Sequence, residues 1–210
     1  MLLQYTCNDL HRFASPLPCT LSLAVIYDAT YYAVSSGAWS QAADMDMYDW
    51  SSAFDINRFA LSVSGQLAFG LGDFIYQTPG GRFVPDPAVA GVLTFWSGWF
   101  KQYRTLLSAG DVIHVARPDG QSVDIIVRTR AMDPTCVGLV FMTNPTSDAI
   151  SLSSLTLPLY YTGATPGGTV QLLWEGTGQP VSIPLDWRAR GTVTNVTVAA
   201  RGVAWATIKL

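Results

Sequence analysis

The hydrophobic period of this chain changes at Gly110, and that change limits the folds open to it. Upstream, Val89, Val92, Leu93, Trp96, Trp99, Phe100, Tyr103, Leu106 and Leu107 recur at three- and four-residue steps, which places them on one face of an α-helix. Asp86 is a good N-cap, Pro87 suits the first helical position, and Gly110 stands where a helix stop favours glycine. The spacing predicts one amphipathic helix of about twenty residues. Downstream the period is two. Strands are predicted at Val112 to Ala116, Val123 to Arg128, Gly138 to Thr143, Ile150 to Leu157, Val170 to Glu175, Pro180 to Leu185, Val193 to Ala199 and Val203 to Leu210. Turn signals separate them at Arg117-Pro118-Asp119-Gly120, Asn144-Pro145-Thr146, Gly163 to Gly168 and Gly176 to Gly178. Short strands at such intervals build a sandwich or barrel. The expected class is therefore mainly β with some α: a C-terminal antiparallel β-sandwich over residues 111–210, packed on the long helix that closes residues 1–110.

The first part of the chain is less periodic. Short apolar runs (Leu21 to Tyr27, Tyr31 to Val34, Phe59 to Val63, Leu67 to Leu71) alternate with Ser, Gly and Asp. Leu21 to Val34 is interrupted by Asp28 and is shorter than the roughly 20 residues a membrane span needs, so it reads as a buried strand and no span is expected. At 49% hydrophobic residues the chain has ample material for a core, while charged residues are only 13%, about half the usual share. Much of the surface must then be Ser, Thr, Gly and aromatic, which favours self-association. A net charge of −3 without a Lys/Arg cluster lacks the electrostatic footprint of nucleic-acid binding. Cys7, Cys19 and Cys136 form no CxxC spacing, and His11 and His114 lie far apart in the chain. Neither zinc nor another cofactor is indicated. A Cys7 to Cys19 disulfide stays open beside the preferred reading of unpaired thiols. His114, in an apolar strand, reads as a hydrogen-bonded structural residue. The N-terminal MLLQYTCNDLHRF does not have the form of a signal peptide. Asn195-Val196-Thr197 is a formal glycosylation sequon inside an expected strand.

Taken in order, the run Trp96 to Gly120 (WSGWFKQYRTLLSAGDVIHVARPDG), Val123-Asp124, Gly138 to Thr146 (GLVFMTNPT), Leu157 to Gly163 (LPLYYTG) and Val203-Ala204-Trp205 resembles the C-terminal end of glycoside hydrolases of the α-galactosidase-like clan. In that family a (β/α)₈ barrel closes with a helix of pattern W-x-x-W-[YF]-x-x-Y-R, matched here by Trp96, Trp99, Phe100, Tyr103 and Arg104, and a β-sandwich follows. The resemblance covers roughly residues 90 to 210. It implies a partial barrel-like α/β segment over residues 1–110, a poly- or oligosaccharide partner and a family whose members are often secreted. A whole barrel takes about 200 to 250 residues, more than the 110 preceding the sandwich. The expected function is thus the C-terminal fragment of a glycoside-hydrolase-like protein with an incomplete active site. The alternative is a stand-alone, non-catalytic sandwich module for binding or structure.

Glycoside hydrolysis needs two carboxyl groups flanking the bond. Upstream of the helix the sequence offers the cluster Asp44, Asp46 and Asp49, with Asp55 and Asp73 isolated. These are candidate sugar contacts, though solvated loop carboxylates and helix caps are the favoured account, and no catalytic residue is assigned. Flat aromatic rings can cover the apolar side of a pyranose. Of the seven tryptophans, Trp96, Trp99 and Trp205 read as core. Trp39 and Trp50, in a Ser- and Asp-rich segment, are the candidate exposed pair, with Trp174 third. Arg104 reads as a structural clasp, bonding the last helix carbonyls or pairing across the domain junction, and Asp124 as a partner for a neighbouring loop.

Overall fold

A computed structural model describes residues 43–44, 56–68, 74–75, 87–116, 122–130 and 136–210. In chain order they form β1 (Ala43–Asp44), α1 (Ile56–Ala68), β2 (Phe74–Ile75), α2 (Pro87–Ala109), β3 (Asp111–Ala116), β4 (Asp124–Thr129), β5 (Gly138–Thr143), β6 (Ile150–Pro158), a 3₁₀ turn at Tyr160–Thr162, β7 (Thr169–Trp174), β8 (Pro180–Pro184), β9 (Arg190–Val198) and β10 (Val203–Lys209). Each of the eight strands expected after Gly110 is present, and α2 begins at Pro87 as its capping signals require. The apolar runs at Phe59 to Val63 and Leu67 to Leu71 are not separate pieces. All of the first and the start of the second, Leu67 and Ala68, lie on α1, where Leu61, Ser64 and Ala68, at helical spacing, are buried beside Leu67. β1 and β2 pair in parallel, with α1 between them in the chain, the connection a βαβ unit makes.

The order β3-β4-β5-β10-β7-β8 gives a six-stranded antiparallel sheet, and β6 pairs antiparallel with β9 in a second sheet. An isolated bridge, Leu185 to Gly191, joins the β8 edge to β9. The six-stranded sheet is the middle layer of three. Ile126, Leu139, Phe141 and Trp205 point from it into a core shared with α1 and α2. The residues beside them, Ile125, Val127, Val140, Met142, Ala206 and Ile208, point the other way, into a core closed by Leu155, Leu157, Val193 and Val196 of the second sheet. Alternation along a strand sends neighbours to opposite faces. β4 and β5 read as continuous apolar runs because both of their faces are covered.

Two buried polar side chains tie the layers. Asn144 donates through Nδ2 to the carbonyls of Asp148, Val198 and Ala199, and its Oδ1 accepts from the backbone N–H and hydroxyl of Thr146. The Asn-Pro-Thr stretch therefore staples the β5–β6 loop to the β9–β10 turn. The Arg128 guanidinium, 1% exposed, donates to the carbonyls of Leu107, Gly110 (3.1 Å) and, more weakly, Leu106 (3.4 Å). It satisfies orphan carbonyls and meets the negative end of the helix dipole. Burial pushes its pKa down to about 10, so it is still a cation at neutral pH. Arg130 adds a bond to the Thr105 carbonyl. A clasp on the helix end thus comes from β4, through Arg128 and Arg130, while Arg104, the residue expected to clasp this junction, is exposed on α2.

Candidate functional site

Of the carbohydrate-contact candidates, Asp44 sits in β1, paired with Ile75 of β2. Trp39, Asp46, Asp49 and Trp50 lie outside the described residues, as do Asp55, Asp73, Cys7, Cys19, His11, the expected strand at Leu21 to Val34 and the Arg117 to Gly120 turn. Among the described residues no group of three or more His, Cys, Asp or Glu could hold a metal ion. No helix there is long and apolar enough to cross a membrane.

Three features of the described part concentrate chemistry. The first is the aromatic junction between α2 and the middle sheet. Trp96 and Trp99, one helical turn apart, meet edge-on at 5.4 Å, and each meets Trp205 of β10, at 5.5 and 6.0 Å. Phe141 completes the cluster at 6.2 Å from Trp96 and 5.4 Å from Trp99. Tyr103 meets Trp99 at 5.4 Å with the rings tilted by 60°. Burial, then Cys136 and Glu175, raise the pKa of its phenol, so it stays neutral. Edge-to-face geometry at these spacings is a packing arrangement, and the three indoles are at most 8% exposed. They are core, as their periodic placement predicts.

The second feature is a buried pair between neighbouring strands: His114 Nε2 lies 2.5 Å from Asp124 Oδ1, both side chains being at most 5% exposed. The pair stands beside the bulge where the β3–β4 register shifts between His114 and Ala116. His114 is hydrogen-bonded as expected. Asp124, expected to bond a neighbouring loop, pairs with this strand partner.

The third is the turn from β8 into β9. Asp186 Oδ1 accepts the backbone N–H groups of Arg188 and Arg190, and Oδ2 accepts Arg190 Nε at 2.8 Å, with Nη2 at 2.7 Å. The Arg190 backbone N–H, followed by its guanidinium, holds the Asp186 carboxyl below its usual range. Ala189 adopts φ 52°, a left-handed conformation costly for a residue with a Cβ, and is held there by backbone bonds to Asp186 and from Leu159. This overdetermined turn carries Trp187, which is 72% exposed and has the Arg188 guanidinium 4.3 Å from its ring centroid. Beside it is a cleft of about 290 Å³ lined by Thr156, Pro184, Asp186, Arg190 and Thr192. The Leu159 bond to Ala189 brings Tyr160 and Tyr161, each 49% exposed and 4.3 Å apart, to the same end of the β6–β9 sheet.

Sequence reasoning had counted Trp187 among the tryptophans without singling it out. The available signal was its setting, Asp186-Trp187-Arg188-Ala189-Arg190, in which three of five residues are charged, although Ile183 and Leu185 precede it at strand spacing. Trp174, the third candidate, is instead half-buried against the inter-sheet core.

No protein-family model matches the chain, and no curated protein does. Its fold is nonetheless found among solved structures. A type I pullulanase from Bacillus subtilis strain 168, solved with maltose, matches 91% of this chain over 32% of its own, at 12% identity and a TM-score of 0.53. A noncanonic maltogenic α-amylase from Thermotoga neapolitana matches 81% over 41% of its own, at 10% identity and a TM-score of 0.50. The chain therefore spans about a third of the length of these glycoside hydrolases, and at such identity the likeness is one of fold: mostly antiparallel β, matching their C-terminal β-domains.

Proposed function

We propose that this chain carries the closing helix and C-terminal β-sandwich of a glycoside-hydrolase-like protein, in which the sandwich braces the fold and contacts carbohydrate without holding a complete catalytic centre. On this reading residues 1–110 are a partial barrel-like region and residues 111–210 the sandwich. The observation that carries the proposal is the aromatic junction. α2 presents Trp96 and Trp99 to Phe141 and Trp205 while Arg128 holds its C-terminal end, so helix and sandwich form one packed body. The motif order Trp96 to Arg104, Asn144 to Thr146 and Leu157 to Gly163 supports a place near the α-galactosidase-like clan. The fold shared with a pullulanase and an α-amylase supports the wider class of glycoside hydrolases. The maltose bound to the pullulanase makes a neutral oligosaccharide the partner to test. Asp44, Asp46, Asp49, Trp39 and Trp50 are the proposed sugar contacts of the N-terminal part.

The test is hydrolysis of a panel of chromogenic α- and β-glycosides by the purified chain, with glycan-array binding on the same sample. Sugar binding without turnover is expected. Turnover that disappears when Asp44, Asp46 and Asp49 are changed to Asn would overturn the proposal.

A further inference from the structure

We infer that the Trp187 turn and the outer face of the β6–β9 sheet form a binding site for a neutral pyranose oligosaccharide, with the indole as a stacking platform and a ladder of hydroxyls as the track. The inference rests on the carbohydrate-contacting reading above and gives it a location. An indole at 72% exposure forgoes hydrophobic burial, and the left-handed Ala189 that shapes its turn carries steric strain. Strain of this kind persists only where surrounding bonds enforce it, as the three hydrogen bonds to the Asp186 carboxylate and its ion pair with Arg190 do here. The turn thus has its shape before any ligand arrives. Arg188 lies against the indole and fixes its attitude through a cation–π contact, while most of the ring stays open to solvent.

The polar half of the site follows from strand alternation. Leu155, Leu157, Val193 and Val196 face the core, so Thr156 and Thr192 face outward, their hydroxyls 3.5 Å apart across the strands. Ser154 and Thr194, the next outward pair, are exposed. Past the irregularity at Asn195, φ 57°, the outward pair is Ser151 and Thr197, with oxygens 2.9 Å apart. Successive outward pairs along a strand stand about 7 Å apart. The track therefore offers small groups that both donate and accept, leading into the cleft beside Asp186 and Arg190.

Charge and size choose among ligands. The two ionic groups lining the cleft neutralise each other at 2.7 Å, which disfavours an anionic or cationic ligand. A volume of about 290 Å³ is at the low end for small-molecule sites and suits a single sugar ring. A second protein chain fits less well. Trp187 at 72% and Tyr160 and Tyr161 at 49% exposure offer roughly 350 Å² of aromatic surface, against about 800 Å² per partner in a stable interface. A hexose, apolar on one face of its ring and ringed by hydroxyls, matches both halves.

The experiment is titration of the full chain with maltoheptaose and cellohexaose by calorimetry, with a glycan array and a sizing column alongside. Trp187→Ala should weaken binding at least ten-fold without lowering Tm. Trp187→Phe should retain part of the affinity, and Arg188→Ala should lose about three-fold. If the chain binds these sugars and Trp187→Ala leaves the affinity unchanged, the site is refuted while the carbohydrate reading stands. If the array shows no sugar bound at all, both fall. A Trp187→Ala variant that changes the oligomeric state and not sugar binding would reassign this surface to contact between copies and likewise overturn the inference.

Discussion

Replacing Gly110 by Ala tests whether the helix end and the sandwich are one rigid junction. An added methyl at a glycine with negative φ ordinarily stabilises a protein by about 0.4 to 1 kcal/mol, because it restricts the unfolded chain. Here the added Cβ would stand 2.4 Å from the Leu106 carbonyl oxygen and 2.6 Å from that of Thr129. Both are backbone atoms, one on the last turn of α2 and the other at the end of β4, so no side-chain rotation relieves the clash. Relief requires the last turn to open at its Gly110 to Leu106 bond and the helix end to move away from β4, which stretches the Arg128 bonds to Leu107 and Gly110. Overpacking costs about 1 to 3 kcal/mol, and weakening two charge-assisted bonds adds about 1 to 2. The expected destabilisation is about 3 kcal/mol, or roughly 6 to 12 °C in Tm for a chain of this size. Gly98, mid-helix, would place its Cβ in open space among the described residues. Gly98→Ala should therefore gain about 1 kcal/mol of helix propensity. Thermal unfolding followed by circular dichroism reads both. The reasoning is refuted if Gly110→Ala melts at or above the wild-type temperature, whatever Gly98→Ala does.

Further perturbations probe other layers. Arg128→Met removes a cation whose pKa burial lowers from 12.5 to about 10, returning about 3 kcal/mol, but it forfeits two good charge-assisted bonds and one weak one, about 5 kcal/mol together. A net loss of about 2 kcal/mol is expected in urea denaturation, and a variant as stable as wild type would show that the apolar isostere wins. Asn144→Ala strips five hydrogen bonds from the β5–β6 loop and should cost about 3 kcal/mol, with amide exchange accelerating first at 144–148 and 198–202. Unchanged exchange there would contradict the staple. The Asp186 carboxyl titrates below its unfolded value, so the unfolded turn binds the proton more readily. The turn's stabilisation is complete above about pH 4 and is lost as pH falls through the folded pKa. The Trp187 indole resonance should move in that acid window, and Asp186→Asn should abolish the dependence.

Much of the architecture after Gly110 was legible because its signals are local. The three- and four-residue recurrence from Val89 to Leu107, the Asp-Pro start and the glycine stop each act within a turn or two of chain. The switch to period two, with turn residues between runs, then defines each strand independently of its partners. α1 was read as separate apolar pieces because its buried stripe, Leu61, Ser64 and Ala68, includes a serine. That hydroxyl is satisfied within the helix by the Leu61 carbonyl, which no hydropathy pattern records.

What the sequence by itself determined about this protein is the type and order of its C-terminal elements and which tryptophans are periodic enough to be core. Tertiary structure decided the strand order, which of two cores each face of β4 and β5 enters, and that Arg128, from a strand, holds the helix end. It also decided that Trp187 stands outward on a braced turn beside a polar cleft. Period is a property of consecutive residues. Partnership joins residues tens of positions apart, such as Asn144 with Val198 or Leu107 with Arg128, and only the folded chain brings them within hydrogen-bonding distance.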